Sequence, residues 1–312
     1  MAPSDILWGI DLGGTKIEGV TIRPGKNPKI LHRIRIPTEK EKGYRHIISR
    51  MHLLLQQLEK RTGAKASEIG IGIPGTHDPE KQTVKNANTT ALIGKPLKKD
   101  LQETFQIPVK LANDANCFAL AETKFGVVKQ TYPKAGVIFG VIIGTGVGGG
   151  LIVDGKIVHG LHGITGEWGH NFLDESGGTC YCGKTGCVET IISGPALEAY
   201  YYKQTGEQKT LEEINTLHEQ NINAEATQTI KRLWSFFGKG IAQVINIVDP
   251  EVIVIGGGVG NIKSLYSKGP EAVMPHIFNH NLNTQFLPPK LGDSAGVIGA
   301  AFLADSNMEN RN

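Results

Sequence analysis

A chain of 312 residues exceeds a typical single domain, so two domains or one large one are expected, and either can bury a real core. With 39% hydrophobic and 20% charged residues the composition is that of an ordinary globular protein, and no apolar run approaches the roughly 20 residues needed to span a bilayer. A net charge of +3 with scattered Lys and Arg is too small for a nucleic-acid footprint, and Lys95, Lys98 and Lys99 read as a solvated face. No secretory leader opens the chain, so a cytoplasmic protein is expected. The 40 glycines exceed the usual share of about 7% and often follow strand-like runs, where backbone must approach a ligand such as phosphate.

In chain order, residues 6–15 (ILWGIDLGGT) predict an apolar strand and a Gly/Thr turn, followed by a second strand in KIEGVTI, a β-hairpin with a glycine-rich tip. The tip places the Asp11 carboxylate at a strand end. The free N–H groups of the Gly13–Gly14 turn and the Thr15 hydroxyl can then face phosphate oxygens, with charge added by Lys16. An amphipathic helix follows at 46–60, with Ile47, Met51, Leu54 and Leu58 on one face, and leads into a strand and turn at 69–75. Residues 108–122 (PVKLANDANCFALAE) predict a short strand ending near Leu111, a polar turn, and a helix opening at about Asp114. Polar side chains at such a strand end lie where α/β proteins bind ligands. Asp114, flanked by Asn113 and Asn116, is either a base that takes a proton from a substrate hydroxyl or the cap of its helix. Cys117 reads as core.

Residues 137–146 (VIFGVIIGTG), continued by GGGLIVDGKIV, repeat the first hairpin. A helix with Ile230, Leu233, Phe237, Ile241, Val244 and Val248 on its face then leads into VIVIGGG at 252–258, repeating the helix-strand-turn at 46–75. Chance similarity of apolar strands is the plain alternative, but the economical reading is a duplicated α/β unit. One glycine turn alone is an ordinary hairpin and is not a Walker sequence. Three of them, at Gly9–Lys16, at Gly144, Thr145, Gly146, Gly148, Gly149 and Gly150, and at Gly256, Gly257 and Gly258, suggest one nucleotide held between two lobes. The last helix-like run lies at 294–305. Domains are expected at 1–118, joined by a C-terminal helix at 293–312, and at 119–292.

The second copy has a longer spacer between its motifs, and inside it lies the segment 167–189. Three of the four cysteines, Cys180, Cys182 and Cys187, fall there with His170 upstream, the number and kind of ligands a tetrahedral zinc takes. A disulfide or a chance cluster of buried thiols is the bland reading. Glycines 177, 178, 183 and 186 allow tight turns around an ion. Glu167, Asn88, Asn113 and Glu189 suit a polyol, because carboxylates and amides make paired hydrogen bonds to adjacent hydroxyls. His170 is either a purely structural ligand or binds zinc through one nitrogen and donates to a sugar oxygen through the other.

DLGGTK, IGIPG, NDAN, GTGVGGG, ExGH, CxCGxxGCxE and VIGGG, in this order along nearly the whole chain, resemble the ROK sugar kinases. The resemblance implies a duplicated actin-like, ribonuclease-H-related ATPase fold of two lobes, with ATP and a hexose in the cleft between them. It also implies Asp114 as catalytic base, zinc on His170, Cys180, Cys182 and Cys187, and Asp11 helping to place Mg²⁺. Sugar contacts would be Gly75, Asn88, Asn113, Asp114, Glu167, His170 and Glu189. Nucleotide contacts would be the three glycine turns, and the assembly a homodimer. Some family members are repressors with an added helix-turn-helix; the ten residues before Asp11 are too few for one, so the kinase branch is expected. VKNANTT, EWGHN and CYCGK look most like fructokinases and manno-fructokinases, whereas NDANCFALAE and GTGVGGGLI look equally like N-acetylglucosamine kinases. Fructokinase is the favoured expectation, with N-acetylglucosamine kinase or glucokinase as alternatives. A sugar-sensing binding protein without catalysis is the rival of a different class.

Overall fold

The computed structural model describes residues 6–25, 27–87 and 89–305. In chain order the elements begin β1 (Leu7–Leu12), β2 (Lys16–Arg23), β3 (Lys29–Pro37), α1 (Tyr44–Thr62), β4 (Ile69–Ile73), β5 (Thr76–His77), β6 (Val84–Lys85), α2 (Leu97–Phe105), β7 (Val109–Asn113), α3 (Asp114–Lys124) and α4 (Val127–Thr131). They continue with β8 (Val137–Ile143), β9 (Val147–Val153), β10 (Lys156–Ile157), α5 (Glu189–Ile192), α6 (Gly194–Thr205), α7 (Leu211–Glu219) and α8 (Ala224–Val248). The chain closes through β11 (Val252–Gly256), α9 (Leu265–Val273), β12 (Gln285–Leu287) and α10 (Ala295–Leu303). Two compact units result: residues 1–133, 156–165 and 291–312 form the first, and 134–155 with 166–290 the second.

The first unit is built on a five-stranded sheet ordered β3-β2-β1-β4-β7. β1 pairs antiparallel with β2 and parallel with β4, which pairs parallel with β7. β1 and β4 read as near-continuous apolar runs because helices cover them: α1 buries Ile47, Ile48, Met51, Leu54, Leu55 and Leu58, and α10 packs on β1 and β4. That second contact depends on missing side chains. A Cβ on Gly9 would lie 2.5 Å from the Ala301 backbone nitrogen, and one on Gly70 would lie 1.8 Å from the Ala300 carbonyl oxygen. Gly9 therefore serves helix-on-sheet packing; the turn at Gly13 to Lys16 is what faces outward. The unit runs to Pro133, beyond the expected boundary at residue 118, because α3 lies against both α10 and β7 and cannot leave the core they share. Cys117 is fully buried in that core.

In the second unit β9, β8, β11 and β12 lie side by side in that order, with β8 antiparallel to β9 and parallel to β11. This repeats the β2-β1-β4-β7 run of the first unit, so the duplication read from the sequence is a duplication of topology. α8 is 25 residues long and opens at Asn223, whose side chain accepts from the Ala226 N–H; it ends at Asp249, left-handed at φ 45°, just before Pro250. The GTGVGGG run divides differently from the sequence reading. Only residues 144–146 form the tip, whereas Gly148, Gly149 and Gly150 lie inside β9. A Cβ on Gly149 would meet the Gly166 carbonyl at 2.7 Å and Trp168 at 2.8 Å, so this glycine gives room to the start of the cysteine segment.

Candidate functional site

In the first unit three parallel strands deliver polar groups to one edge of the sheet. Asp11 is in register with Gly72, and Ile73 with Asn113, so Asp11, the IPG turn and the Asn113-Asp114 step share the carboxyl ends of β1, β4 and β7. The glycine turn beside them is fixed by its own backbone: Gly13 N–H donates to the Lys16 carbonyl at 3.0 Å. The end of β3 holds it from outside. Thr38 N–H donates to the Thr15 carbonyl at 2.9 Å, and the Thr38 hydroxyl donates to the Gly13 carbonyl at 2.7 Å. Thr38 was invisible as a site residue in the sequence; the signal was the hairpin register that brings Pro37 opposite Lys16.

The two readings of Asp114 separate here. The capping side chain of α3 is Asn113, whose Oδ1 accepts from the Asn116 N–H at 2.8 Å. Asp114 is the first helical residue, exposed, with one carboxylate oxygen 2.8 Å from the Ala115 N–H. A carboxylate at that position also gains from the helix dipole as an anion. Gly75 has φ 83° and stands against the backbone of Lys85 and Ala87, so its role here is to let the chain turn under that segment. Asn88 lies outside the described residues.

Asp11 is half-buried, its carboxylate lodged where a Cβ on Gly72 would come within 3.1 Å and one on Gly296 within 2.9 Å. Burial, then the charges of Asp114 and Glu18, push its carboxyl up to about 7, with Lys16 opposing. The folded, ligand-free protein thus keeps a proton that the unfolded chain loses above about pH 4. The resulting stabilisation is complete below that pH and fades as pH rises through about 7. Urea unfolding in EDTA should show the wild type losing about 2–3 kcal/mol more than Asp11→Asn between pH 5 and pH 8. Parallel pH curves for the two proteins would contradict this. Glu18 is paired with Arg33 and Arg35, which leaves Asp11 and Asp114 as the carboxylates that could hold a divalent cation here.

In the second unit, the tip 144–146 and the Gly256-Gly257-Gly258 turn follow adjacent parallel strands, with Ile142 in register with Gly256. Gly257 has φ 82° and a Cβ there would strike the Ile143 carbonyl, whereas Gly144 and Gly258 face open space. The tip is held by the Gly194 N–H, which donates to the Gly144 carbonyl at 2.9 Å, and by Glu189, whose Oε2 accepts from the Val147 N–H at 2.9 Å. Glu189 therefore links the start of α5, next to the cysteine segment, to a glycine turn.

A ring nitrogen of His170 and the sulfurs of Cys180, Cys182 and Cys187 all lie within 4.8 Å of one another. The Cys182 and Cys187 sulfurs are 3.6 Å apart, as are the Cys180 sulfur and His170 Nδ1. Tetrahedral zinc with its usual bond lengths sets its ligand atoms about 3.5–3.8 Å apart, and a disulfide would need about 2.05 Å, so the donor set fits zinc. The Lys184 N–H holds the Cys182 thiol below its ordinary value, while burial pushes Cys187 up to about 12. Gly178, Gly183 and Gly186 take φ of 69°, 87° and 74° to wrap the segment; Gly177 instead makes room for Thr190. With Nδ1 turned to the sulfurs, His170 Nε2 points away and lies 3.0 Å from the Tyr181 hydroxyl. Burial, then the charges of Glu189 and Glu167, push that phenol up to about 12. In the sequence Tyr181 is only the x of Cys-x-Cys.

The ROK family model matches residues 7–307. An N-acetyl-D-glucosamine kinase of Yersinia enterocolitica is 36% identical over 309 residues, 96% of this chain and 99% of that protein. Its counterpart in Vibrio parahaemolyticus is 33% identical over 308 residues, again 96% and 99%. Among solved structures, a ROK hexokinase from Thermus thermophilus superposes with a TM-score of 0.86 at 28% identity, covering 98% of this chain and 100% of that one. A ROK glucokinase from Streptomyces griseus, in complex with glucose and AMPPNP, gives 0.76 at 26% identity, covering 96% and 99%. The two solved structures carry the actin-like ATPase fold, and each match extends over almost the full length of both chains. The chain belongs to the ROK family and is an ATP-dependent sugar kinase.

Proposed function

We propose that the protein transfers the γ-phosphoryl group of ATP to the 6-hydroxyl of N-acetylglucosamine. The observation that carries the chemistry is the pair Asp11 and Asp114 at one sheet edge beside the Gly13–Lys16 turn. Asp114 takes the proton as the sugar O6 attacks phosphorus; the bond from γ-phosphorus to the β,γ-bridging oxygen breaks, and ADP leaves. The transition state of such a transfer is loose, so the base mainly aims the hydroxyl. Asp11, at the end of β1, would hold Mg²⁺, which neutralises charge on the transferring phosphoryl group. In the first unit the amide of Asn113, and in the second the carboxylates of Glu167 and Glu189, are side chains of the kind that make paired hydrogen bonds to sugar hydroxyls. His170 Nδ1 and the three cysteines would hold zinc, a structural ion that fixes the imidazole and leaves Nε2 to a hydroxyl partner.

The choice of sugar rests on relatives that are N-acetyl-D-glucosamine kinases at 33–36% identity over nearly the full chain. They favour N-acetylglucosamine over fructose, the acceptor favoured by the motifs alone. Fructose or mannose remains the second reading, carried by VKNANTT, EWGHN and CYCGK. ADP release measured with Mg-ATP over N-acetylglucosamine, fructose, mannose and glucose should give the highest kcat/KM with N-acetylglucosamine. A tenfold preference for fructose or mannose would replace that acceptor, and turnover with none of the four would sink the hexose reading.

A further inference from the structure

Beyond the turn itself, two side chains converge above Gly14. Thr38 is fully buried and ties the end of β3 to Gly13 and Thr15 by the two hydrogen bonds described above. The next residue, Glu39, is left-handed at φ 53°, a conformation that costs a non-glycine residue about 1–2 kcal/mol. It is held there by Lys42 Nζ and His46 Nε2, each 2.7 Å from Glu39 Oε2. This reversal delivers Lys40 to the turn: a methyl group on Gly14 would lie 3.6 Å from Lys40 Nζ and 3.7 Å from Thr89 Oγ1. Thr89 is 3% exposed, and its hydroxyl has no hydrogen-bond partner among the described residues. A buried hydroxyl left unpaired costs about 1–3 kcal/mol, so the fold tolerates a loss that an oxygen-rich ligand would repair. Nor does the backbone demand glycine at position 14, whose φ is not in the left-handed range and whose surroundings would admit a methyl group. The missing side chain leaves room for a methyl-sized group, such as one phosphoryl oxygen, in contact with both an ammonium and a hydroxyl.

We propose that Lys40 and Thr89, with the Gly13–Thr15 turn, seat the terminal phosphoryl group of the nucleotide, the one that is transferred. The assignment rests on the kinase reading and adds two residues to it. An anion over Gly14 accepts from the Thr89 hydroxyl and faces the Lys40 ammonium, the charge-assisted contacts that a phosphoryl oxygen rewards most. ADP lacks that group, which makes the site separable from the rest of nucleotide binding.

Calorimetric affinities for ADP and for an imido-bridged ATP analogue, both with Mg²⁺, test it. Lys40→Ala should weaken the analogue about tenfold and ADP less than twofold, with Lys40→Arg restoring most of the loss. In turnover, Lys40→Ala should lower kcat about 10- to 100-fold with the sugar KM unchanged. Thr89→Val removes an unpaired hydroxyl at nearly constant shape, so it should keep or raise Tm while weakening the analogue 3- to 10-fold. Analogue and ADP affinities that fall together, or that do not change, overturn the site. Because these measurements need no acceptor, they stand apart from the sugar panel. A wild-type protein that phosphorylates no sugar but shows the selective analogue loss keeps the site and removes the hexose acceptor; sugar turnover untouched by Lys40→Ala does the reverse.

Discussion

Asp114→Asn is expected to lower kcat about 10²- to 10⁴-fold while sugar affinity stays within a few-fold of wild type. The substitution is nearly isosteric, and the asparagine oxygen can still accept from the Ala115 N–H, so α3 has no reason to fray. The N-cap is untouched, because Asn113 supplies it. What disappears is the proton acceptor. The charge beside Asp11 also disappears, so the Asp11 carboxyl should fall from about 7 and the variant should lose less stability than wild type between pH 5 and pH 8. Steady-state kinetics with direct sugar binding by calorimetry separates the effects. Wild-type kcat would remove Asp114 from the mechanism; loss of sugar binding together with kcat would make it a binding residue.

Cys182→Ser should take zinc from about one ion per chain to nearly none and lower Tm by several degrees. It should also raise the sugar KM about 10- to 100-fold, the range seen when the support of a metal-held histidine is broken. The physical link is short. Cys182 faces Cys187, Cys180 lies beside His170 Nδ1 within the same four-residue cluster, and His170 Nε2 meets the Tyr181 hydroxyl. Without the ion the ring is free to rotate, and the thiol of buried Cys187, pushed up to about 12, stays protonated. Elemental analysis, thermal melts and KM measured on the same preparation check this. Zinc loss with an unchanged KM would confine the metal to structure, and an unchanged zinc content would exclude the cluster as its site.

Local signals were readable wherever one segment decides its own structure. β1, β4, β8 and β11 are apolar runs ended by glycine, and α1 and α8 carry their buried faces at helical spacing. The cysteine spacing already grouped the sulfurs that the fold brings together with His170. Signals failed where a residue answers to something far away in sequence. Gly148–Gly150 look like a loop by composition but lie in a strand, because Trp168 and Gly166 need the space beside Gly149. Gly9 looks like part of a phosphate turn but yields to the backbone of α10, nearly 300 positions later. Thr38, Lys40 and Thr89 carry no motif at all.

By itself the sequence determined the family, the duplicated α/β plan, the glycine turns and the grouping of three cysteines with a histidine, because each is written in the spacing of short segments. Only the tertiary structure decided that Asn113 caps α3, that His170 presents Nδ1 to the sulfurs, and that Lys40 and Thr89 meet over Gly14. Those are questions of direction and distance between segments, fixed by the sheet register and by helices packed against glycines, and no local pattern encodes them.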